Sequence, residues 1–214
     1  MTDTVACRTV GANWIASDKN QRTDRVMVNR ICEHHFGRGI VGSSNNFGNI
    51  GDKPTQPELL DWLATRFMQG GWRLKSMHKL IMLSSAYQMS SQASEKELAA
   101  DPANKLYWRF NMRRLSSEEL RDSVHAANGS LNLKMGGPSI YPIIPQEVFA
   151  GQSRPGAGWG NSSEEERARR AVYIFIKRSL VEPLMADFDF ADVDSTCPVR
   201  FVTTQPTQAL SLLN

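Results

Sequence analysis

Two segments with recognisable helix ends constrain the fold of this chain more than any other feature of its sequence. In the first segment, Thr55 and Glu58 have the spacing of a capping box, and Pro57 suits the first helical turn. Apolar residues then repeat at helical intervals up to Phe67, and Gly70-Gly71 supplies a stop. This pattern predicts a helix that has Thr55 as its N-cap.

The second segment repeats the capping-box pattern with Ser116 and Glu119, and its helix is predicted to end at Asn128-Gly129. Apolar periodicity predicts further helices over Arg25–Phe36, over Leu74–Leu83 and from Pro206 onwards. The last of these runs to the end of the chain with no C-cap signal, which suggests a fragment of a longer multidomain protein.

The remaining sequence predicts long loops and little β-structure. Residues 42–54 are rich in Gly, Ser and Asn, and residues 136–160 hold many glycines and prolines. Only residues 171–176 have the β-branched and aromatic density of a strand. We therefore expect a mainly α, irregular helical domain with long loops and little β, which forms a single module over residues 1–214.

Composition and charge bear on the class of protein and its partners. An apolar content of 41% with 22% charged residues is ordinary for a globular protein, so we do not expect wholesale disorder. Lys and Arg total 25 against 22 Asp and Glu, and this weak bias predicts no nucleic-acid partner. No apolar run approaches the roughly 18 residues of a membrane span, and the N-terminus lacks a signal-peptide pattern.

The three cysteines, Cys7, Cys32 and Cys197, are widely spaced. They form no CxxC, no CxxCH haem-attachment motif and no zinc-finger spacing. We therefore expect no cofactor in this chain, and any haem would belong to another domain.

Adjacent histidines near the end of a predicted helix, His34 and His35, are the candidate catalytic residues. Neighbouring helical residues point about 100° apart, so the two imidazoles do not form the i, i+4 metal pair of a zincin. Further ligands such as Asp52 or Asp61 would be needed, and no spacing predicts them, so we expect no metal site. The structural alternative has one histidine buried against a carboxylate or carbonyl and the other exposed.

Several polar and aromatic residues are candidate binding residues: Asn29, Arg38, Asn46, Arg113, Arg114 and Trp159. Arg38 lies between two glycines, where it could face an anionic ligand or neutralise the negative end of its helix. The Ser- and Asn-rich run around Asn46 suits sugar or peptide contacts but also ordinary turns. The arginines are expected to form salt-bridge networks or, alternatively, a ligand-binding cluster. Trp159, in a glycine-rich loop, is the tryptophan expected to be most exposed.

Several motifs together resemble a known family. In chain order they are Val28-Asn29-Arg30-Ile31, His34-His35-Phe36-Gly37-Arg38-Gly39-Ile40-Val41, Pro57-Glu58-Leu59-Leu60-Asp61-Trp62-Leu63, Gly71-Trp72 with Lys75, Asp101-Pro102 with Asn104, Met112-Arg113-Arg114-Leu115, Met135-Gly136-Gly137-Pro138, Arg170-Ala171-Val172-Tyr173, Phe188-Asp189 and Thr203-Thr204-Gln205-Pro206-Thr207-Gln208-Ala209-Leu210. They span residues 12–214 and resemble the planctomycete-type domain-of-unknown-function family 1553, the C-terminal module of large planctomycete cytochrome c-domain proteins.

The resemblance implies a place in a larger protein and no specific reaction. Members usually follow a haem-binding cytochrome c module and a second uncharacterised domain in exported proteins. The implied partners are therefore N-terminal domains of the same polypeptide, with polysaccharide as a further candidate, and the implied location is extracytoplasmic, in the periplasm or at the cell surface. This chain departs from the family pattern at Cys32-Glu33, where an aromatic residue and a glutamine are usual.

We therefore expect a module that binds a partner domain or a glycan. One alternative is a polysaccharide hydrolase or lyase that uses His34 or His35 as acid or base. Another is a docking module for a cytochrome c domain. Exposure of both histidines with Arg38 in one concave pocket would favour the enzyme, and a broad exposed apolar patch would favour docking.

Overall fold

A computed structural model describes residues 3–17, 19–20, 22–197 and 199–213. Its helices are α1 (Asp3–Ile15), α2 (Thr23–Phe36), α3 (Pro57–Gln69), α4 (Leu74–Met82), α5 (Glu95–Ala100), α6 (Ser117–Ala127), α7 (Gln146–Ala150), α8 (Glu164–Arg167), α9 (Pro183–Asp187) and α10 (Pro206–Ser211), with a 3-10 helix over Ala171–Tyr173. Over these described ranges β-structure is limited to isolated bridges, which confirms the expected mainly α fold with little β. None of these helices combines the length and apolar character needed to cross a membrane.

The chain divides into two compact units, residues 1–113 and residues 114–214. Each unit has its own cluster of buried apolar side chains. The assignment of residues 1–214 to one functional module stays a prediction.

The core of the first unit forms where α2 packs on α3 and α4. Helical spacing places Val28 and Ile31 on one face of α2, and Leu60, Leu63 and Phe67 on one face of α3. Burial of such side chains contributes about 1.5–3 kcal/mol each, so this contact is a substantial source of stability for the unit. The five helices predicted from the sequence correspond to α2, α3, α4, α6 and α10.

The two predicted capping boxes have different outcomes. At α6 the prediction is confirmed, because the Ser116 hydroxyl accepts from the Glu119 amide and the Glu119 carboxylate accepts from the Ser116 amide. At α3 it is wrong, because the N-cap is Gln56 and not Thr55. The Thr55 hydroxyl instead donates to the carbonyl of Ile40 at 3.1 Å, so a loop contact takes the group that was expected to cap the helix.

The predicted strand over residues 171–176 is also wrong. Its first half is the 3-10 helix, and Ile174 forms only an isolated bridge with Ile140. The Ala171 amide donates to the carboxylate of Asp122 at 2.6 Å, so a side chain satisfies the backbone group that a neighbouring strand would use. Ala171 and Ile174 are nevertheless buried in the core of the second unit. The apolar pattern of residues 171–176 therefore indicated the burial of Ala171 and Ile174 correctly but predicted the wrong secondary structure.

A fully buried arginine, Arg169, lies beside this small apolar core. Its Nη1 donates to the Pro138 carbonyl at 3.2 Å and to the Glu166 carboxylate at 3.0 Å, and its Nη2 donates to the Gly136 carbonyl. Its guanidinium carbon lies 3.9 Å from the centre of the Tyr173 ring. Arg169 therefore fixes the irregular segment around residues 136–138 to the 3-10 helix.

Candidate functional site

The candidate site of the first unit lies at the C-terminal end of α2, where the two histidines occupy the last turn. Gly37 ends the helix with a φ of 73°, a left-handed conformation that favours glycine. Arg38 and the loop that follows leave the helix from this point.

Asn29 organises that loop from inside the helix. It is fully buried, its Oδ1 accepts from the Val41 amide at 2.8 Å, and its Nδ2 donates to the Val41 carbonyl at 3.1 Å. Its Nδ2 also lies 3.2 Å from the Ser44 hydroxyl oxygen. One side-chain amide thus satisfies both backbone groups of a buried residue twelve positions away, a structural role that accounts for its burial.

Gly39 is needed because the loop passes directly over Asn29. A Cβ atom at residue 39 would lie 2.5 Å from Nδ2 of Asn29. We expect Gly39→Ala to lower the free energy of unfolding by about 1–3 kcal/mol, the usual range for overpacking a buried site, as measured by urea denaturation. Gly11→Ala is the matched control, because a Cβ at residue 11 of α1 meets nothing within 4 Å and alanine favours a helix. Equal losses in the two variants would contradict the proposed clash.

Arg38 is half-buried and holds a second loop. Its Nη1 donates to the Ala103 carbonyl at 3.2 Å, while its own carbonyl accepts from the Tyr107 hydroxyl at 3.2 Å. Burial raises the pKa of Tyr107, so its hydroxyl stays protonated and serves as a donor. Arg38 therefore contacts the loop around residues 103–107 through both its guanidinium and its backbone carbonyl.

The loop that Arg38 meets is built on Asn104. This residue is buried in a left-handed conformation with a φ of 48°, which asparagine tolerates better than most residues. Its Oδ1 accepts from the Trp108 amide at 2.9 Å, and its Nδ2 donates to the Arg109 carbonyl at 2.7 Å. The Asp101 carboxylate accepts from the Leu106 amide at 2.9 Å. The motif Asp101-Pro102 with Asn104 is therefore a loop-forming motif.

The two histidines diverge, as their adjacency on a helix predicted. His34 is exposed, and His35 is half-buried with its Nε2 2.8 Å from Nδ1 of His78. The ring of His35 also packs edge-on against Tyr87 at 5.4 Å. Burial lowers the pKa of His35, and the nearby charges of His78, His34 and Arg113 lower it further. The partner of the buried histidine is thus another imidazole and not the carboxylate or carbonyl of the structural alternative.

The remaining candidates of the first unit are Asn46 and Arg113. Asn46 is exposed, and its Oδ1 accepts from the Gly48 amide at 3.1 Å in an ordinary Asx turn. Arg113 is exposed and passes beside the end of α2, since a Cβ at Gly37 would lie 3.7 Å from its Cβ and Cδ. His35, Arg38 and Arg113 therefore lie at the end of α2, Asn29 contacts the following loop from inside the helix, and Asn46 lies in the loop beyond it.

Arg114 belongs to the second unit, where it contacts the Phe188-Asp189 motif and the motif that begins at Thr203. Its Nη2 lies 2.6 Å from the Asp189 carboxylate, and its Nη1 donates to the Thr203 carbonyl at 2.8 Å. Burial alone would raise the pKa of Asp189, but hydrogen bonds from Thr203 and Arg114 outweigh it and hold that pKa below its ordinary value. For Arg114, this is the salt-bridge network that the sequence favoured over a ligand-binding cluster.

Trp159 also lies in the second unit and is only half-buried, less open than the sequence suggested. Its indole Nε1 donates to the Pro142 carbonyl at 3.2 Å, and its ring packs edge-on against Tyr141 at 5.7 Å. The ring of Phe175 completes the cluster, with its centroid 6.1 Å from that of Trp159. These contacts give Trp159 a packing role in its loop.

Sequence reasoning did not single out His78 or Arg121. Both act through partners distant in sequence, His35 for the first and the Arg169 carbonyl for the second. Helical periodicity places a residue on a face but does not identify its partner, so no local signal marks either contact.

The described side chains also bear on metal binding and on nucleophilic catalysis. Within the described part of the chain, no three His, Cys, Asp or Glu side chains are placed to hold one metal ion. Asp61, considered above as a possible ligand, pairs with Arg25 at 2.7 Å. Burial raises the pKa of Cys32 to about 12, so this thiol stays protonated at neutral pH and is not a nucleophile.

Comparison with known proteins gives a family match over nearly the whole chain. A family model described as "PSD1: Protein of unknown function (DUF1553)" matches residues 8–214. No curated protein and no solved structure matches the chain.

Proposed function

Because this chain belongs to the PSD1 family of proteins of unknown function (DUF1553), we propose that it acts as a docking module of a larger protein. The docking surface is the apolar face of α1, and the occupant is a neighbouring domain of the same polypeptide. The resemblance stated above supports this choice of occupant, because it implies that such domains, one of them a cytochrome c domain, accompany the module in an extracytoplasmic protein.

The apolar face of α1 is the observation that carries the proposal. Cys7, Val10, Gly11 and Trp14 follow the spacing i, i+3, i+4, i+7 and form one apolar stripe along the helix. Val10 is 68% exposed and Trp14 is 60% exposed. A Cβ at Gly11 would meet nothing within 4 Å, so a partner side chain can approach the helix backbone there. An exposed tryptophan beside a small residue is a suitable anchor point for an apolar partner.

The accessible surface of the chain supports the same proposal. It amounts to 14794 Å² for a mass of 24.0 kDa. Two separate compact units sharing that mass equally would expose about 12,000 Å² in total. The chain therefore exposes more surface than two separate compact units of the same total mass would, and exposed apolar surface favours association.

The alternative function, a polysaccharide hydrolase or lyase, has weaker support. In the described ranges, His35 is hydrogen-bonded to His78, and His34 has no carboxylate or hydroxyl partner to orient it. General acid–base catalysis requires a positioned imidazole within reach of the reacting group. Polysaccharide binding stays a prediction, and calorimetric titration of the chain with polysaccharide can test it.

Trp14→Glu is expected to abolish most of the docking affinity. A buried tryptophan anchor typically contributes at least 2 kcal/mol, and a carboxylate would in addition have to be desolvated. We therefore expect at least tenfold weaker binding of the neighbouring domains, supplied in trans to the chain and measured by isothermal titration calorimetry. Binding should also slow the reaction of Cys7 with maleimide, while buried Cys32 stays unlabelled throughout.

Ile50→Glu is the matched control, because Ile50 is 94% exposed in the same unit but lies outside α1. Circular dichroism checks that both variants retain their helices. If the two variants bind the neighbouring domains equally well, α1 is not the docking surface. If only polysaccharide binds, the partner assignment is wrong.

A further inference from the structure

The contact between His35 and His78 is independent of the docking surface. The nitrogens Nε2 of His35 and Nδ1 of His78 are 2.8 Å apart, with ring centroids 5.0 Å apart. One histidine comes from α2 and the other from α4, so the packing of the two helices creates the contact. Both residues are half-buried. Neither is paired with a carboxylate in the part of the chain that the structure describes.

Two facing imidazole nitrogens can share one N–H, or they can share a metal ion. In the first case one ring donates and the other accepts. In the second case the proton leaves the facing nitrogens, and both lone pairs point at one position. Two imidazoles bound to Zn²⁺ at 2.0–2.1 Å in tetrahedral geometry have nitrogens about 3.3 Å apart. Admitting the ion requires side-chain rotations that widen the present separation by roughly 0.5 Å and turn both lone pairs towards one point.

We propose that His35 and His78 form a two-histidine site for a divalent transition-metal ion, with water in the remaining coordination positions. Imidazole nitrogen suits Cu²⁺, Zn²⁺ and Ni²⁺, whereas Mg²⁺ and Ca²⁺ prefer oxygen ligands. Cu²⁺ binds most tightly, because it leads the divalent affinity series. The sequence-based expectation of no metal site considered His34 beside His35, and the structure supplies His78 as the second ligand instead.

The surroundings favour a weak, open site. The ring of His35 packs edge-on against Tyr87 at a centroid distance of 5.4 Å, and Phe36 packs against the same tyrosine at 5.9 Å. The charge of Arg113 acts on His35 and opposes a bound cation. No third His, Cys, Asp or Glu of the described residues joins the pair, so water must complete the coordination.

The test follows the imidazole signals of the four histidines by NMR while Cu²⁺ is added to the chain. Paramagnetic broadening is expected to affect the signals of His35 and His78 first, before those of His34 and His125. Calorimetric titration with Zn²⁺ gives the affinity, and Mg²⁺ serves as the negative control. His35→Gln and His78→Gln should each weaken Zn²⁺ binding by at least roughly 10–100-fold. That is the loss caused by removing a residue that only orients a metal ligand, and losing a ligand itself should cost no less.

His34→Gln is the matched control, since it removes the adjacent but divergent imidazole, and it should leave Zn²⁺ affinity unchanged. Circular dichroism and the remaining histidine signals show whether the glutamine variants are folded. The proposal is overturned if Cu²⁺ broadens all four histidines equally. It is also overturned if His34→Gln weakens Zn²⁺ binding as much as His78→Gln, or if the unaltered chain binds Zn²⁺ no better than Mg²⁺.

Discussion

Replacing Arg169 with alanine is expected to destabilise the second unit by about 3 kcal/mol or more, because the change removes a fully buried side chain and several contacts at once. The carbonyls of Gly136 and Pro138 lose their donor, Glu166 loses one of its two basic partners, and Tyr173 loses the guanidinium stacked on its ring. Urea denaturation followed by far-UV circular dichroism measures the loss, and hydrogen exchange around residues 135–140 should accelerate.

Arg170→Ala provides the matched control at the next position. Its side chain is half-exposed, and its Nε lies 3.6 Å from the Asp122 carboxylate, a surface ion pair that contributes at most about 1 kcal/mol. Arg169→Lys tests the geometry of the guanidinium, since lysine keeps the charge but not the planar fork that reaches two carbonyls. Equal losses from the alanine variants at 169 and 170 would show that Arg169 does not have the anchoring role assigned to it.

Asn29→Ala is expected to lower the free energy of unfolding of the first unit by about 2–4 kcal/mol. The change leaves the amide and the carbonyl of buried Val41 without their partner, and an unsatisfied buried group costs about 1–3 kcal/mol. Asn29→Asp should be similarly harmful, because a carboxylate cannot donate to the Val41 carbonyl. Urea denaturation again gives the magnitude, with exposed Asn46→Ala as a control whose change should stay within about 0.5 kcal/mol.

A double-mutant cycle with Gly39 makes the test of Asn29 sharper. The atoms that a Cβ at residue 39 would meet are all in the Asn29 side-chain amide. In the Asn29→Ala background, Gly39→Ala should therefore lose most of its destabilising effect, since the clashing atoms are gone. Additive effects of the two substitutions would contradict the direct contact between them.

Local sequence signals were reliable where the structure they predict is itself local. The capping box of Ser116 and Glu119 closes within four residues, so its side chains identify the helix start. Thr55 has the same pattern, but its hydroxyl bonds to Ile40, fifteen residues away, and the helix starts one residue later than predicted. A competing long-range hydrogen bond was therefore enough to shift a correctly identified helix.

The candidate site was only partly predictable, for the same reason. The adjacency of His34 and His35 correctly predicted that the two rings diverge. The partner, His78, lies on another helix and has no local pattern that marks it. Likewise, the arginine-rich segments predicted salt bridges, but only the fold shows that Arg114 meets Asp189. Side-chain identity indicates what a residue can bind, and tertiary packing decides which partner it meets.

The buried thiol of Cys32 makes the core of the first unit insensitive to the redox state of its surroundings. Oxidants attack the thiolate, and a pKa of about 12 with little solvent access keeps this group in its inert form. Among the described cysteines, peroxide or disulfide exchange should therefore reach exposed Cys7 and half-buried Cys197 first. The same folded core can thus persist in a reducing cytoplasm and in an oxidising compartment, without a disulfide to stabilise it or a reactive thiol to damage it.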